Sequence, residues 1–233
     1  MGELKKMGEK YYLSKSGYQL YKRCPKQYYF RYIKKLPGTS SIAMAAGTEF
    51  HNAAEAFMKD LIKTKAVPNF EFMPEFKFER NVDPWLHFLA NEKWRWENVK
   101  DTFYPVMLED FITNDELLIR GIVDRVDIMP NGEIIVIDYK TGNSKAKSTE
   151  YYFYKLLLDK SGKFDKPVRY GALFYVTQNK IDQKKLSDKR AENLLVKINE
   201  IRAKIDAGEF PEKKSEFTCK WCSYAKECME AGE

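Results

Sequence analysis

The segment LLIRGIVDRVDIMPNGEIIVIDYK, residues 117–140, constrains this chain more than any other. Two apolar runs flank Pro130-Asn131-Gly132, which suits a three-residue hairpin loop: a type I turn followed by glycine in the left-handed conformation. That loop pairs Met129 with Glu133, and counting back from it sets Asp124 directly opposite Asp138. Both acids then share a face with Ile122, Val126, Ile134, Val136 and Lys140. A two-residue loop would turn the acids to opposite faces instead.

Carboxylates directly across a sheet repel each other, and burial on an apolar face raises the cost. Three remedies exist. One acid stays protonated, Lys140 neutralises the pair, or a divalent cation binds between them. An oxygen-preferring ion such as Mg²⁺ or Mn²⁺ is the natural occupant. A metal on two acids with a lysine beside it suits phosphodiester cleavage. A lone Asp-x-Lys at a strand end is also an ordinary solvated ion pair.

The 233 residues carry a net charge of +6, with 44% hydrophobic and 32% charged side chains, the balance of a globular protein. No run of about 18 apolar residues is present, and the start lacks the apolar stretch of a signal peptide, so a cytoplasmic compartment is expected, with no membrane partner. Between Lys140 and Arg169 stand Lys145, Lys147, Lys155, Lys160, Lys163 and Lys166, against only Glu150, Asp159 and Asp165. That excess fits either a polyanion partner or a solvated face.

One domain over 1–233 is expected. It divides into an N-terminal helical segment (11–36), a helical region (40–105), a core (106–180) and a C-terminal helix with its tail (181–233). Ser14 or Ser16 suits a helix N-cap, and Pro25 the first turn of a second helix. Ala43, Ala46, Gly47, Phe50, Ala54, Phe57 and Leu61 form one stripe of a longer helix. Asp83-Pro84 opens another. The aromatics between 64 and 105 read mainly as core. Residues 150–180 read as helical, or as a helix followed by a strand. Leu194, Leu195, Ile198, Ile201 and Ile205 mark a last long helix, with Gly208 as its terminator. His51 and His87 both fall on helical patterns, where a histidine is usually a satisfied core residue.

Cys219, Cys222 and Cys228 follow a Cys-x2-Cys-x5-Cys spacing, and Cys24 stands far upstream. In a reducing compartment four thiols suggest a metal site, and spacing alone leaves zinc and an iron–sulfur cluster open.

Several ordered motifs give these fragments a common context: LSKSGYQLYKRCP, AGTEFH, GIVDRVD, IDYKTG and the cysteine run. From Leu13 to Cys228 the chain resembles the RecB-like branch of the PD-(D/E)XK nucleases, above all the small cysteine-bearing nucleases of CRISPR adaptation and their phage and archaeal relatives. The resemblance implies an α/β, restriction-endonuclease-like core: a mixed central sheet flanked by helices. It also implies that His51, Asp124, Asp138 and the backbone carbonyl of Tyr139 hold Mg²⁺ or Mn²⁺, with Lys140 as the catalytic lysine. Glu109 falls where relatives often carry a glutamate, and no role is assigned to it. Relatives usually carry Gln-apolar-x-x-Tyr on a later helix. Here RYGALFY offers Tyr175 for the tyrosine, but Gly171 stands at the glutamine position, with Arg169 or Tyr170 as substitutes. Arg125, Arg169 and Tyr175 are the candidate DNA contacts. The one-plus-three cysteines resemble a [4Fe–4S] site.

The implied activity is a metal-dependent DNA nuclease, an exonuclease on single strands or ends. Alternatives are a nuclease subunit working with helicase or CRISPR-adaptation proteins, and a non-catalytic iron–sulfur DNA-binding scaffold. A second copy of the chain is a further candidate partner.

Overall fold

The computed structural model describes residues 11–142 and 149–230. The opening residues, Lys145 and Lys147 lie outside them. The chain begins with β1 (Leu13–Ser14) and α1 (Lys15–Arg23), where the Ser14 hydroxyl caps the helix by accepting the Gly17 N–H at 3.0 Å. Cys24 ends α1, and Pro25 opens α2 (Pro25–Tyr28), which runs on into a π-helical turn over Tyr29–Ile33. Next come α3 (Ile42–Thr64), capped by Ser41, and α4 (Val82–Asn98). The latter starts just before the expected Asp83-Pro84. Pro84 still sits in the first turn, where its missing N–H costs no helical bond.

Then follow β2 (Met107–Asn114), β3 (Ile119–Ile128), β4 (Ile134–Lys140), α5 (Thr149–Asp159), β5 (Val168–Tyr175) and β6 (Lys180–Lys185). The chain closes with α6 (Asp188–Asp206), α7 (Glu216–Lys220) and α8 (Ala225–Glu230). Of the two readings open for 150–180, helix then strand is correct. β6 went unnoticed because KIDQKK has almost no apolar face, and as an edge strand it needs none. Gly208, at φ +74°, terminates α6 as expected.

The fold is a mixed sheet flanked by helices, the expected restriction-endonuclease-like α/β architecture. β3 and β4 are antiparallel, β4 and β5 parallel, and β5 and β6 antiparallel. β2 runs antiparallel along one edge of β3. The other edge is shared: β1 takes Ile119 and Arg120, and β4 takes Arg125 to Ile128. The hairpin has the expected loop, with the Met129 N–H donating to the Glu133 carbonyl and Gly132 at φ +75°.

Hydrophobic side chains fill both faces. One core joins the sheet to α1, α5 and α6 through Tyr18, Val123, Val136, Phe153, Leu157 and Ile198. The other joins it to α3 and α4 through Phe50, Phe57, Trp85, Phe88, Leu108 and Phe174. The expectation of an aromatic core is met at Trp85 and Phe88, whereas Trp94 lies on the surface. Gly171 of β5 has the Tyr151 ring laid against it, so close that a Cβ there would stand 2.5 Å from the ring. The glycine is therefore a packing requirement of α5 on the sheet.

Under the second core lies a buried ionic network. Arg125, fully buried, donates to Glu92 and Asp127 at 2.8 Å each and to the Tyr139 hydroxyl at 3.1 Å. Arg95 bridges the same two acids at 2.8 and 2.7 Å. Arg125 is thus a structural ion, which corrects its expected role as a DNA contact: no polyanion can reach it. Removing it would strand Glu92 and Asp127 without one of their two cations. Arg125→Leu is expected to destabilise the protein by about 3–5 kcal/mol, read by urea denaturation.

Candidate metal centre

The sharing of β3's edge creates the site. On the edge shared by β1 and β4, residues 121–124 of β3 have no strand partner and face an opening. Asp124 stands at its margin, one step beyond the last β3–β4 pair, Arg125 with Ile137. Its carboxylate accepts the Tyr139 N–H at 2.9 Å, so a side chain takes over where the backbone ladder stops. By the same count Asp124 faces Asp138, as the hairpin register predicts.

Strict alternation fails here. Val123 and Val126 both enter the first core although three residues apart, and so do Met107 and Ile112 on β2, five apart. The kink falls at Glu109 and Asp124, the pair left out of an otherwise continuous β2–β3 register. Glu109 has φ +45°, a left-handed conformation strained for a residue with a side chain. Ile122 was expected on the apolar face with Asp124; beyond the kink it is 53% exposed instead.

α3 brings His51 to this kink. Its Nδ1 lies 3.0 Å from Glu109 Oε1 and 3.5 Å from Asp124 Oδ2. Ligand atoms of His51, Glu109 and Asp124 all lie within 4.8 Å of one another, the only such three-residue group among the described residues. Gly47, one turn before His51, admits the neighbouring chain: a Cβ there would stand 2.9 Å from Thr141 Oγ1. The glycine of the Gly-x-x-x-His pattern therefore lets α3 approach the end of β4. His87 is elsewhere, bonded to the Val176 carbonyl, and remains structural.

Asp138 faces a different company. Lys15, the first residue of α1, lies 3.1 Å from Asp138 Oδ1, and the Tyr154 hydroxyl of α5 donates to the same oxygen at 2.7 Å. Lys140 pairs closely with both Asp138 and Glu150, and Lys15 also reaches Glu150 at 3.3 Å and the Tyr154 oxygen at 2.6 Å. The two acids consequently titrate apart. Burial pushes Asp124 up to about 7, aided by the charge of Asp138 and opposed by His51. Asp138 is as deeply buried, yet Lys15 and Lys140 hold it below the ordinary carboxylate range. Burial works to lower His51, but Glu109, Asp124 and Asp138 outweigh it and raise the imidazole. Two of the three remedies thus operate side by side: lysines neutralise one acid, and the other is left favouring its proton. An imidazole and two carboxylates, one short of compensating charge, fit a divalent cation.

The expected ligand set was His51, Asp124, Asp138 and the Tyr139 carbonyl. His51 and Asp124 do come together, but Glu109 completes their group, while Asp138 stands with the lysines. Lys15, Glu150 and Tyr154 were missed. The expected fourth motif also moves. Residues 169–175 are strand, so Tyr175, buried opposite Lys140, is not on a helix, and Arg169 pairs with Asp188 at 3.2 Å. The helix that touches the site is α5, where Glu150 and Tyr154, four residues apart, occupy one face. The signal was present in EYYFY, with glutamate in place of glutamine. Among the described lysines between 140 and 169, Lys155 belongs to no exposed basic face: it is buried on Asp159 and the Val168 carbonyl.

The four cysteines converge. Cys24, Cys219, Cys222 and Cys228 all line one cavity of about 520 Å³ between α2 and the C-terminal helices. Among the described residues no three of their sulfurs lie within 4.8 Å of one another.

The model of the PD-(D/E)XK nuclease superfamily matches residues 12–229. The chain belongs to that superfamily. Like other PD-(D/E)XK proteins it therefore has a centre suited to divalent metal, here with a His/Glu/Asp group. The gene 69 protein of Mycobacterium phage L5 is 24% identical over 270 aligned positions, covering 89% of this chain and 92% of that one. The crystal structure of a candidate exonuclease from Eubacterium rectale superposes with a TM-score of 0.54 at 15% identity, covering 94% of this chain and 88% of that one. At that identity the likeness speaks for the PD-(D/E)XK fold alone. Among the described residues no helix is long and apolar enough to cross a membrane.

Mn²⁺ is expected to raise the melting temperature of the wild type and EDTA to reverse the gain. Asp124→Asn and Glu109→Gln should each abolish most of it. Because Asp124 must lose its proton to bind metal, the gain should shrink as the pH falls through about 7. A Glu109→Gln protein that responds to Mn²⁺ like the wild type would restore the ligand set read from the sequence.

Proposed function

We propose that the protein is a metal-dependent deoxyribonuclease that hydrolyses phosphodiester bonds, acting as an exonuclease on single-stranded DNA or DNA ends. The observation that carries this reading is the His51–Glu109–Asp124 group set beside the Lys140–Asp138–Lys15 cluster. A divalent cation held by the first group, with Asp138 and the Tyr139 carbonyl as further ligands, would acidify a bound water and offset charge on the scissile phosphate.

The lysines suit the rest of the chemistry. Burial would depress the Lys140 ammonium, but Asp138 and Glu150 outweigh it and lift Lys140 above its ordinary value. Lys140 therefore stays protonated and serves as a hydrogen-bond donor that orients the attacking water and stabilises charge on the phosphate. Lys15 contributes a second ammonium to the same pocket. Tyr154, whose phenol burial and Asp138 keep far from ionising, fixes the Asp138 carboxylate. None of these groups reads a base, so strandedness and ends rather than sequence should govern cleavage. Membership of the PD-(D/E)XK nuclease superfamily supports the hydrolysis of phosphodiester bonds.

The cysteine-lined cavity supports a [4Fe–4S] cluster and, with it, the RecB-like reading of the chain. A tetrahedral zinc site holds its sulfurs about 3.8 Å apart, given Zn–S bonds of about 2.3 Å. Among the described residues no three of these sulfurs come within 4.8 Å of one another, an arrangement wider than such a site requires. The cluster's role would be to staple the α1–α2 junction to the C-terminal helices.

End-labelled single- and double-stranded DNA should be cut with Mn²⁺ or Mg²⁺ and not with EDTA. Asp124→Ala, Asp138→Ala and Lys140→Ala are each expected to lower the rate at least about 10²-fold. Cleavage that persists in chelator would end the metal-dependent reading. Protein purified without oxygen should be brown, with a broad visible absorption from its thiolate-bound iron. A colourless protein containing one zinc would refute the cluster.

A further inference from the structure

Beside the N-terminal end of α5, the surface folds into a groove of about 210 Å³ between α1, α5 and α6. Its floor is made of packed side chains: Tyr18, Tyr152 and Leu194 are all buried. Its walls carry Lys22, Arg190 and Lys197, and no carboxylate lines it. Glu200 is sensed by the Tyr18 phenol but stands outside the groove.

The absence of counter-charge sets this place apart. Near the site Lys15 and Lys140 are paired with carboxylates, and so are Lys155 and Arg169 on the adjoining elements. Among the described residues, Lys22, Arg190 and Lys197 have no such partner. Three cations gathered round one concave floor repel one another unless an anion is supplied from outside.

The groove is also in line with the candidate metal centre. Lys15 touches Asp138, and Tyr18 and Lys22 follow it three and seven residues later on the same face of α1. That spacing places Lys22 about 10 Å farther along the helix. On the opposite wall Thr149 lines the groove, and the next residue, Glu150, holds Lys15 and Lys140.

We propose that this groove binds backbone phosphates of the substrate DNA strand, a nucleotide or more away from the bond being cut. The proposal rests on the nuclease reading above. Arg190 offers a bidentate fork and the lysines point charges, with the Asn193 amide as a neutral donor. Such contacts hold a strand in position without reading its sequence. They explain how a site with few base-facing groups keeps its grip on one strand.

The test measures binding apart from cleavage. Anisotropy of a labelled single-stranded 20-mer in EDTA gives the slope of log K against log salt for the wild type and for the triple variant Lys22→Ala/Arg190→Ala/Lys197→Ala. Three lost phosphate contacts should weaken binding and make the slope shallower by about 2. A charge-matched control, Lys63→Ala/Lys93→Ala/Lys204→Ala, should leave the slope near that of the wild type. With Mn²⁺, the groove variant should show a raised KM on the oligonucleotide and an unchanged rate on bis(p-nitrophenyl) phosphate, which is too short to reach the groove. An unchanged slope in the groove variant, or an equal loss in the control, would overturn the proposal. Failure of the wild type to cleave either substrate would instead refute the nuclease reading, whatever the binding data show.

Discussion

The hydrogen bond from the Tyr139 N–H to the Asp124 carboxylate is the point on which the site depends. β3 and β4 are paired through the hairpin and must part for any ligand to enter between their ends. A simple separation would leave a buried backbone donor unsatisfied, at a cost of about 1–3 kcal/mol. The carboxylate fills that need and is itself held at the mouth of the opening. Fold and chemistry therefore use the same atoms. The second acid, Asp138, is fixed from the opposite side by Tyr154 and two lysines, and the divergence of the strands gives the two carboxylates separate surroundings.

Behind this opening the strands are locked. Arg125 and Tyr139 alternate with Asp124 and Asp138 along β3 and β4 and point to the other face of the sheet. There Glu92, Arg95 and Asp127 tie the strands to α4. The network is balanced, two cations against two acids, and nearly every donor in it is satisfied. Such an arrangement favours one geometry more than it adds stability. It fixes the angle of the hairpin, and so the position of the acids.

What was legible in the sequence was local. The PNG turn fixed a register, the register fixed the pairing of Asp124 with Asp138, and both follow from turn chemistry and the two-residue repeat of a strand. His51 was legible through Gly47, although the physical reason, the close approach of Thr141, was not. Lys15 was hidden because its partners lie more than a hundred residues away, and no local pattern records such a contact. Glu109 was legible only as a position where relatives often carry a glutamate; its role was hidden by backbone conformation, since a left-handed glutamate in a strand leaves no trace in hydrophobic periodicity. The fourth motif was misplaced because Tyr175 and Tyr154 fit the spacing about equally well, and only the difference between strand and helix separates them. Arg125 looked like a DNA contact because burial cannot be read from an alternating run of charged and apolar residues.

The left-handed backbone of Glu109 sets folding and chemistry against each other at a single position. Glycine would adopt that φ without strain, so the change that most relaxes the strand is also the one that deletes a carboxylate from the centre. A screen that rewards heat resistance alone would drift toward that glycine and return a sturdier protein with one carboxylate fewer beside His51 and Asp124.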